Sequence, residues 1–207
     1  MFTTVEHVQG SAAWLRWRHD GIGASDAPAL MGENPWRSPA ALFAEKVAPP
    51  RYAPPRKTHL TTDLFGQIPT RRDNSLEAQA RRLYIAAHGS QVAPNCIVCT
   101  AHPWQRASLD GIDLAAARAL EIKCGPATYT EVARTGRVPR HYIGQLQHTL
   151  SVTGYPAIDF WVWHPGRPPL LITEWRDETY IAALLSRETE FWARVLAARQ
   201  TSTANRP

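Results

Sequence analysis

Asp110, Glu121 and Lys123 are the residues of this 207-residue chain whose types and spacing best suit chemistry. They fall in two segments of strand character, Arg-Ala-Ser-Leu-Asp-Gly-Ile at 106–112 and Arg-Ala-Leu-Glu-Ile-Lys-Cys at 118–124. Side chains alternate across a strand, so Glu121 and Lys123 share one face while Leu120 and Ile122 take the other. An antiparallel hairpin through Asp113 to Ala117 would bring Asp110 alongside Glu121. Two carboxylates and an ammonium on one wall can hold Mg²⁺ through oxygen ligands, leave positions open for phosphate and water, and orient an attacking water. That is the minimum apparatus for cutting a phosphodiester. The plainer alternative makes Asp110-Gly111 a turn and Glu-x-Lys a solvated stripe. Lysine usage favours the first reading: of 23 basic residues only Lys46, Lys57 and Lys123 are lysine, which suggests a need for a compact ammonium at 123.

The elements that must position these groups are readable in outline. Ser11 is an expected N-cap for a short helix through Trp14, Leu15 and Arg18, closed by Gly21. Ser25-Asp26 is expected to start a second short helix that ends near Gly32. Ser38-Pro39 starts a third, with Leu42, Phe43 and Val47 on its apolar side. Residues 49–73 are rich in proline and arginine, and Arg51, Arg56, Lys57, Arg71 and Arg72 could meet nucleic acid or sit in a solvated loop. Asn74 is the expected cap of a helix to His88 stopped by Gly89, which would put Glu77 at the third helical position of a capping box. After the two strands come helices over 127–134 and 140–153, strands over 158–163 and 170–175, and a last helix over 178–199. That helix carries Ile181, Leu184, Leu185, Phe191, Trp192 and Val195 at core spacing.

Length and composition bound the class. The expectation is one domain over residues 1–200 and a disordered tail over 201–207. Hydrophobic residues at 44% and charged residues at 20% suit an ordinary globular fold, and no apolar run approaches a membrane span. The net charge of +5 favours an anionic partner. Three cysteines without a leader pattern fit a reducing cytoplasm rather than a disulfide framework. Cys96-x-x-Cys99 could be half a zinc site completed by Cys124 and His102, whereas Cys124 alone could simply fill core space.

Several of these pieces form one pattern. Gly21-Ile22-Gly23-Ala24-Ser25-Asp26 with Asn34-Pro35-Trp36, Leu76-Glu77, Ser108-Leu109-Asp110-Gly111, Leu120-Glu121-Ile122-Lys123 and Tyr142-x-x-Gln145-x-Gln147 occur in this order. Over about residues 14 to 165 the chain resembles the YqaJ-type viral recombinases, the lambda-exonuclease-like branch of the PD-(D/E)XK nuclease superfamily. The resemblance implies an α/β fold, a mixed central sheet flanked by helices. It implies a metal-dependent exodeoxyribonuclease that degrades linear double-stranded DNA 5′→3′, releases 5′ mononucleotides and leaves 3′ overhangs for recombination by single-strand annealing. Two Mg²⁺ ions are implied, with Mn²⁺ able to substitute.

Carried over by position, Asp110, Glu121, Glu77 and the Ile122 carbonyl would be metal ligands, and Lys123 would position or deprotonate the attacking water. Arg18, Ser25, Ser108 and Gln145 would grip a 5′-terminal phosphate, with Tyr142 and Gln147 also on the DNA side. Each has a plainer role too: Ser25 as a helix cap, Arg18 as a surface charge, Gln145 as a bond to neighbouring backbone. The family further implies a homotrimeric ring and a single-strand annealing partner. Leu109 stands where the superfamily motif has proline, and the 113–117 turn has no glycine. Two rivals are an iron–sulfur nuclease of the same superfamily, which needs four cysteines, and a DNA-end-binding module without cleavage.

Overall fold

The computed structural model describes residues 1–50 and 75–204. In chain order the elements are β1 (Phe2–Val5), α1 (Ala12–His19), β2 (Ile22–Gly23), a 3₁₀ turn (Ala24–Asp26), α2 (Ala27–Leu30), α3 (Pro39–Val47), α4 (Leu76–His88), β3 (Ala93–Cys99), β4 (Gln105–Asp113), β5 (Arg118–Lys123), α5 (Pro126–Thr135), α6 (Arg140–Thr153), β6 (Ala157–Val162), β7 (Leu170–Trp175) and α7 (Glu178–Ala204). The strands form one mixed sheet in the order β1-β3-β4-β5-β6-β7, with the short β2 running parallel beside β4. Only β5 and β6 pair in parallel along the main path, because α5 and α6 carry the chain back across the sheet between them. The mixed sheet with flanking helices is the expected architecture.

Burial follows this layering. Leu120 and Ile122 of β5 pack with Ala80 and Tyr84 of α4 and with Trp161 of β6. Leu146 and Leu150 of α6 close the main core with Leu109, Ile158 and Phe160. A third cluster joins Leu42 of α3 to Phe191, Trp192 and Val195 of α7, the aromatics expected to be core. Gly144 lets α6 approach closely, since a Cβ there would lie 3.0 Å from the Pro28 backbone of α2. Any side chain at 144 would push α6, and Gln145 with it, away from α2.

Local expectations hold at Ser11 and Ser38, whose hydroxyls accept the Trp14 and Ala41 N–H groups at 3.1 Å. Four others need correction. The cap of α4 is Ser75, whose hydroxyl takes the Ala78 N–H at 3.1 Å, whereas Asn74 lies outside the described residues. Glu77 therefore sits one position earlier than a capping box requires and its carboxylate is released from that duty. Ser25 lies inside the 3₁₀ turn, and it is the Asp26 carboxylate that returns to the Gly23 N–H at 3.0 Å. The last helix continues to Ala204, beyond Arg199 and into the stretch expected as a tail. Arg199 ties it down through the Lys46 and His19 carbonyls, at 2.9 and 3.0 Å.

Strands β1, β2 and β3 have no counterpart in the sequence reading: β1 and β2 are only four and two residues long, and in β3 Pro94 and Asn95 break the alternation where the register shifts between Ala93 and Asn95. The same strand decides the cysteines. Cys96 and Cys99 are three apart on β3, so they point to opposite faces, and both are buried. Cys96 leans on Ser108 and the His7 carbonyl, Cys99 joins the main core, and Cys124 packs beside α4, so the half-zinc reading fails on geometry. The basic residues between 51 and 73 lie outside the described residues.

Candidate active site

β4 and β5 pair antiparallel through Asp113↔Arg118, Ile112↔Ala119 and Gly111↔Leu120. One step further in that register Asp110 faces Glu121, as the hairpin predicts. Here the Asp110 carboxylate itself accepts the Ile122 N–H, at 2.8 Å. The glycine-free turn closes because Asp113 Oδ1 accepts the Ala115 and Ala116 N–H groups at 3.1 and 3.0 Å, and Ala117 takes a left-handed φ of 51°.

Glu121 and Lys123 turn toward α6, opposite to Leu120 and Ile122. The Lys123 ammonium donates to Glu121 Oε1 at 2.5 Å, and the Gln145 amide donates to the same oxygen at 2.7 Å. Tyr142, one turn earlier on α6, sets its ring 4.7 Å from the Lys123 nitrogen and its hydroxyl 3.2 Å from Thr128.

The charge here is unbalanced. Burial pushes the Asp110 carboxyl well above the usual carboxylate range, and the negative charges of Glu121 and Glu77 push it further; Lys123 and the Ile122 N–H only partly oppose them. For Lys123 burial works against the charge, but Glu121 and Asp110 outweigh it and hold the ammonium above its ordinary value. Such a wall has room electrostatically for added positive charge. Glu77 stands at its edge, paired with Arg81 one helical turn on, and Arg81 also donates to the Asp110 carbonyl at 2.5 Å. With Glu77 so turned, no group of three Asp, Glu, His or Cys side chains among the described residues is close enough to hold a metal by itself.

A cavity of about 160 Å³ opens beside this wall, lined by Arg18, Ser25, Ser108, Asp110 and Gln145 together with Gln9 and Trp14. The pattern of β4 explains its floor: Arg106, Ser108 and Asp110 are half-buried, while Gln105, Ala107 and Leu109 between them are buried. Arg18 donates to Ser25 at 2.5 Å and lies over the Trp14 ring, whose indole N–H meets Ser108 at 2.8 Å. The four residues expected around a phosphate thus share one cavity with Asp110.

Gln147 is the exception. It is buried on the far side of α6, where its amide donates to Glu174 and the Trp175 carbonyl and accepts the Asp177 N–H, at 3.1, 2.8 and 3.0 Å. Two residues on a helix are about 200° apart, so Gln145 and Gln147 cannot both face the site. Several cavity or wall residues escaped the sequence reading in this role, among them Trp14, Trp17, Arg106, Gln9 and Arg81. Trp14 and Arg81 carry a signal, each four residues from an expected site residue on the same helix. Gln9, which donates to the Leu109 carbonyl at 3.0 Å from an irregular segment, has none.

Comparison with solved structures identifies the fold. The fold superposes on an alkaline exonuclease, LHK-Exo of Laribacter hongkongensis, with a TM-score of 0.73 and 23% identity, covering 94% of this chain and 97% of that one. Its complex with dAMP gives 0.74 over the same share. A phage-related exonuclease from Haemophilus somnus 129PT gives 0.53 at 12% identity, over 92% of this chain and 98% of that one. The sheet and its helices therefore share the fold of these exonucleases. Residues 13–156 match the YqaJ-like viral recombinase domain, and the chain belongs to that family. It is 27% identical over 184 residues to the uncharacterized protein YqaJ of Bacillus subtilis strain 168; the match takes in 86% of this chain and 54% of that protein, so the chain spans about half the length of this relative.

Proposed function

We propose that the chain is a metal-dependent exodeoxyribonuclease that digests linear double-stranded DNA 5′→3′, releasing 5′ mononucleotides and leaving 3′ overhangs for recombination by single-strand annealing. The observation that carries this reading is the single cavity in which Arg18, Ser25, Ser108 and Gln145 meet Asp110. An arginine fork with hydroxyl and amide donors suits a phosphate group, and the acidic wall next to it suits hydrolysis of the following phosphodiester. LHK-Exo has been captured with dAMP, a nucleoside monophosphate of the kind such a reaction would release.

The donor set fits Mg²⁺. Asp110 and Glu121 supply hard oxygens, with the Ile122 carbonyl next after Glu121 in the chain; burial and the neighbouring carboxylates raise the Asp110 carboxyl, so added positive charge is favoured there. Glu77 is the reserve ligand for a second ion and would reach it by leaving Arg81. When bound, the metal polarises the scissile phosphate and lowers the pKa of its water.

The chain's own residues do the rest. Arg18 and Ser25 fix the strand end, so that the next phosphodiester lies against Asp110 and Glu121. Lys123, held protonated by its carboxylate neighbours, donates to the phosphate or the water and balances the charge that develops there. Gln145 orients Glu121 through the oxygen that Lys123 also holds. Trp14 walls the pocket and fixes Ser108.

The test is release of acid-soluble nucleotides from linear duplex with 5′-phosphate or 5′-hydroxyl ends. Preference for the phosphorylated end, reduced about tenfold or more in Arg18→Ala, supports the reading; equal rates on both ends in the wild type would refute the pocket. A homotrimeric ring and a single-strand annealing partner belong to the same proposal. A trimer by sedimentation, digesting long stretches without release and sparing closed circles, is the expected behaviour.

A further inference from the structure

Trp36 is the one aromatic of the Asn34-Pro35-Trp36 segment, and nothing in the proposed chemistry uses it. Its side chain is 77% exposed, yet the segment that presents it is fixed. The Asn34 side-chain oxygen accepts the Trp36 and Arg37 N–H groups at 2.9 and 3.0 Å. Glu33 clamps the preceding residue position by accepting from Arg140 at 3.1 Å and from the Tyr180 hydroxyl at 2.7 Å. A lone exposed apolar residue carries little meaning by itself. Here it begins a series. The Trp36 ring stands edge-on to His141 at 5.0 Å, His141 lies 4.1 Å from Tyr142, and Tyr142 sits over the Lys123 ammonium. None of the three rings lines the phosphate cavity, so the series runs from the wall outward along a separate path. Arg137 and Arg140, both exposed, precede His141 in the chain by four residues and one.

We propose that Trp36, backed by His141 and Tyr142, is a stacking platform for the unpaired nucleobases of single-stranded DNA next to the catalytic wall. Rings interleaved with arginines are the combination that holds single strands: base faces stack without regard to sequence while the cations meet the phosphates. A duplex keeps its base faces covered, so the platform selects a strand that has already lost its partner. Under the proposed reaction that strand is the 3′ overhang, which becomes unpaired beside Lys123 as its complement is digested. The platform would keep the overhang from re-annealing or folding back over the site. This inference rests on the nuclease reading.

The test uses the wild-type chain, Trp36→Ala and Trp36→Phe, with EDTA present so that nothing is cut. Fluorescence anisotropy compares duplexes carrying a 3′ overhang of thymidines with duplexes whose overhang is abasic and equally long. The wild type should bind the thymidine overhang on the order of tenfold more tightly than the abasic one. Trp36→Ala should remove most of that difference and Trp36→Phe should keep most of it. A full difference in Trp36→Ala, or none in the wild type, overturns the platform. Digestion of blunt 5′-phosphorylated duplex with Mg²⁺, run alongside, separates the two ideas. Wild-type protein that discriminates overhangs but never digests sinks the nuclease reading, whereas one that digests without discriminating sinks the platform alone.

Discussion

Two lysines in this chain sit buried or nearly so beside carboxylates, and their surroundings are charged in opposite senses. Lys46 of α3 is enclosed: its ammonium meets the Arg18 and Gly21 carbonyls at 2.9 and 2.7 Å and the Asp26 carboxylate at 2.9 Å. Arg37 donates to the other Asp26 oxygen at 2.8 Å. Burial alone would raise the Asp26 carboxyl, but Lys46, Arg18 and Arg37 more than offset it and hold the group far below the usual carboxylate range. Lys123 faces the reverse arrangement, one ammonium against the Asp110 and Glu121 carboxylates, with the Glu77–Arg81 pair at the edge and Asp110 pushed up rather than down. The first cluster is complete as folded. The second is short of positive charge, which is the state a cation-binding wall should be in before its cation arrives. A compact ammonium in an arginine-rich chain is thus no mark of chemistry by itself; the sign of the imbalance around it is.

Substitutions should separate the two clusters, most widely at the wall. Asp110→Ala and Lys123→Ala should each lower DNA cleavage on the order of a thousandfold or more, with little change in thermal midpoint. Lys46→Ala should do the opposite. Removing one partner of a buried pair costs about 3–5 kcal/mol, read as a large drop in the denaturant midpoint, with cleavage per folded molecule largely kept. Near-normal cleavage by Asp110→Ala would erase the distinction.

The glutamines on α6 sharpen the same contrast within one helix. Gln145→Ala should reduce cleavage about ten- to a hundredfold, because the amide lines the cavity and orients Glu121 without itself supplying a carboxylate to the wall. Gln147→Ala should spare cleavage and cost about 1–3 kcal/mol of stability, since it leaves buried groups near Glu174 and Asp177 unpaired.

Acid should act on the clusters in opposite directions. The folded-state pKa of Asp26 is depressed, so its contribution to stability is present above the unfolded value of about 3.9 and is lost as pH falls toward the folded one. Asp110 is raised, so without metal its charged form weakens the fold, and that penalty shrinks as pH falls below the raised value and is gone below the unfolded value of about 3.9. Metal-free melting curves should therefore show Asp110→Asn stabilised at neutral pH and Asp26→Asn destabilised. Mg²⁺ should raise the midpoint of the wild type and leave that of Glu121→Gln nearly unmoved. The smallest effect belongs to the turn that joins β4 and β5: Ala117→Gly should add up to about 1 kcal/mol, measured by chemical denaturation, because 117 holds a left-handed φ.

The wall was legible in the sequence because alternation on two adjacent strands is a local rule, and it correctly placed Asp110 opposite Glu121 and Lys123 beside it. The helix caps at Ser11 and Ser38 were legible for the same reason. The phosphate cavity came from resemblance, since Arg18, Ser25, Ser108 and Gln145 are brought together only by the sheet and the close seat of α6 on Pro28. What escaped was non-local. Strands β1 and β2 are short, β3 lacks alternation, and the cap of α4 shifted by one residue, enough to free Glu77 from a capping box. Gln147 followed the motif into the site on paper, whereas the helical period turns it away.

The most direct test of the account is digestion of linear, 5′-phosphorylated duplex DNA by the purified chain, with Mg²⁺ or with EDTA, beside Glu121→Gln folded to the same melting profile. The account predicts 5′ mononucleotides from the wild type with Mg²⁺ alone, and none from Glu121→Gln under either condition. Release that persists in EDTA, or that Glu121→Gln matches, would contradict it.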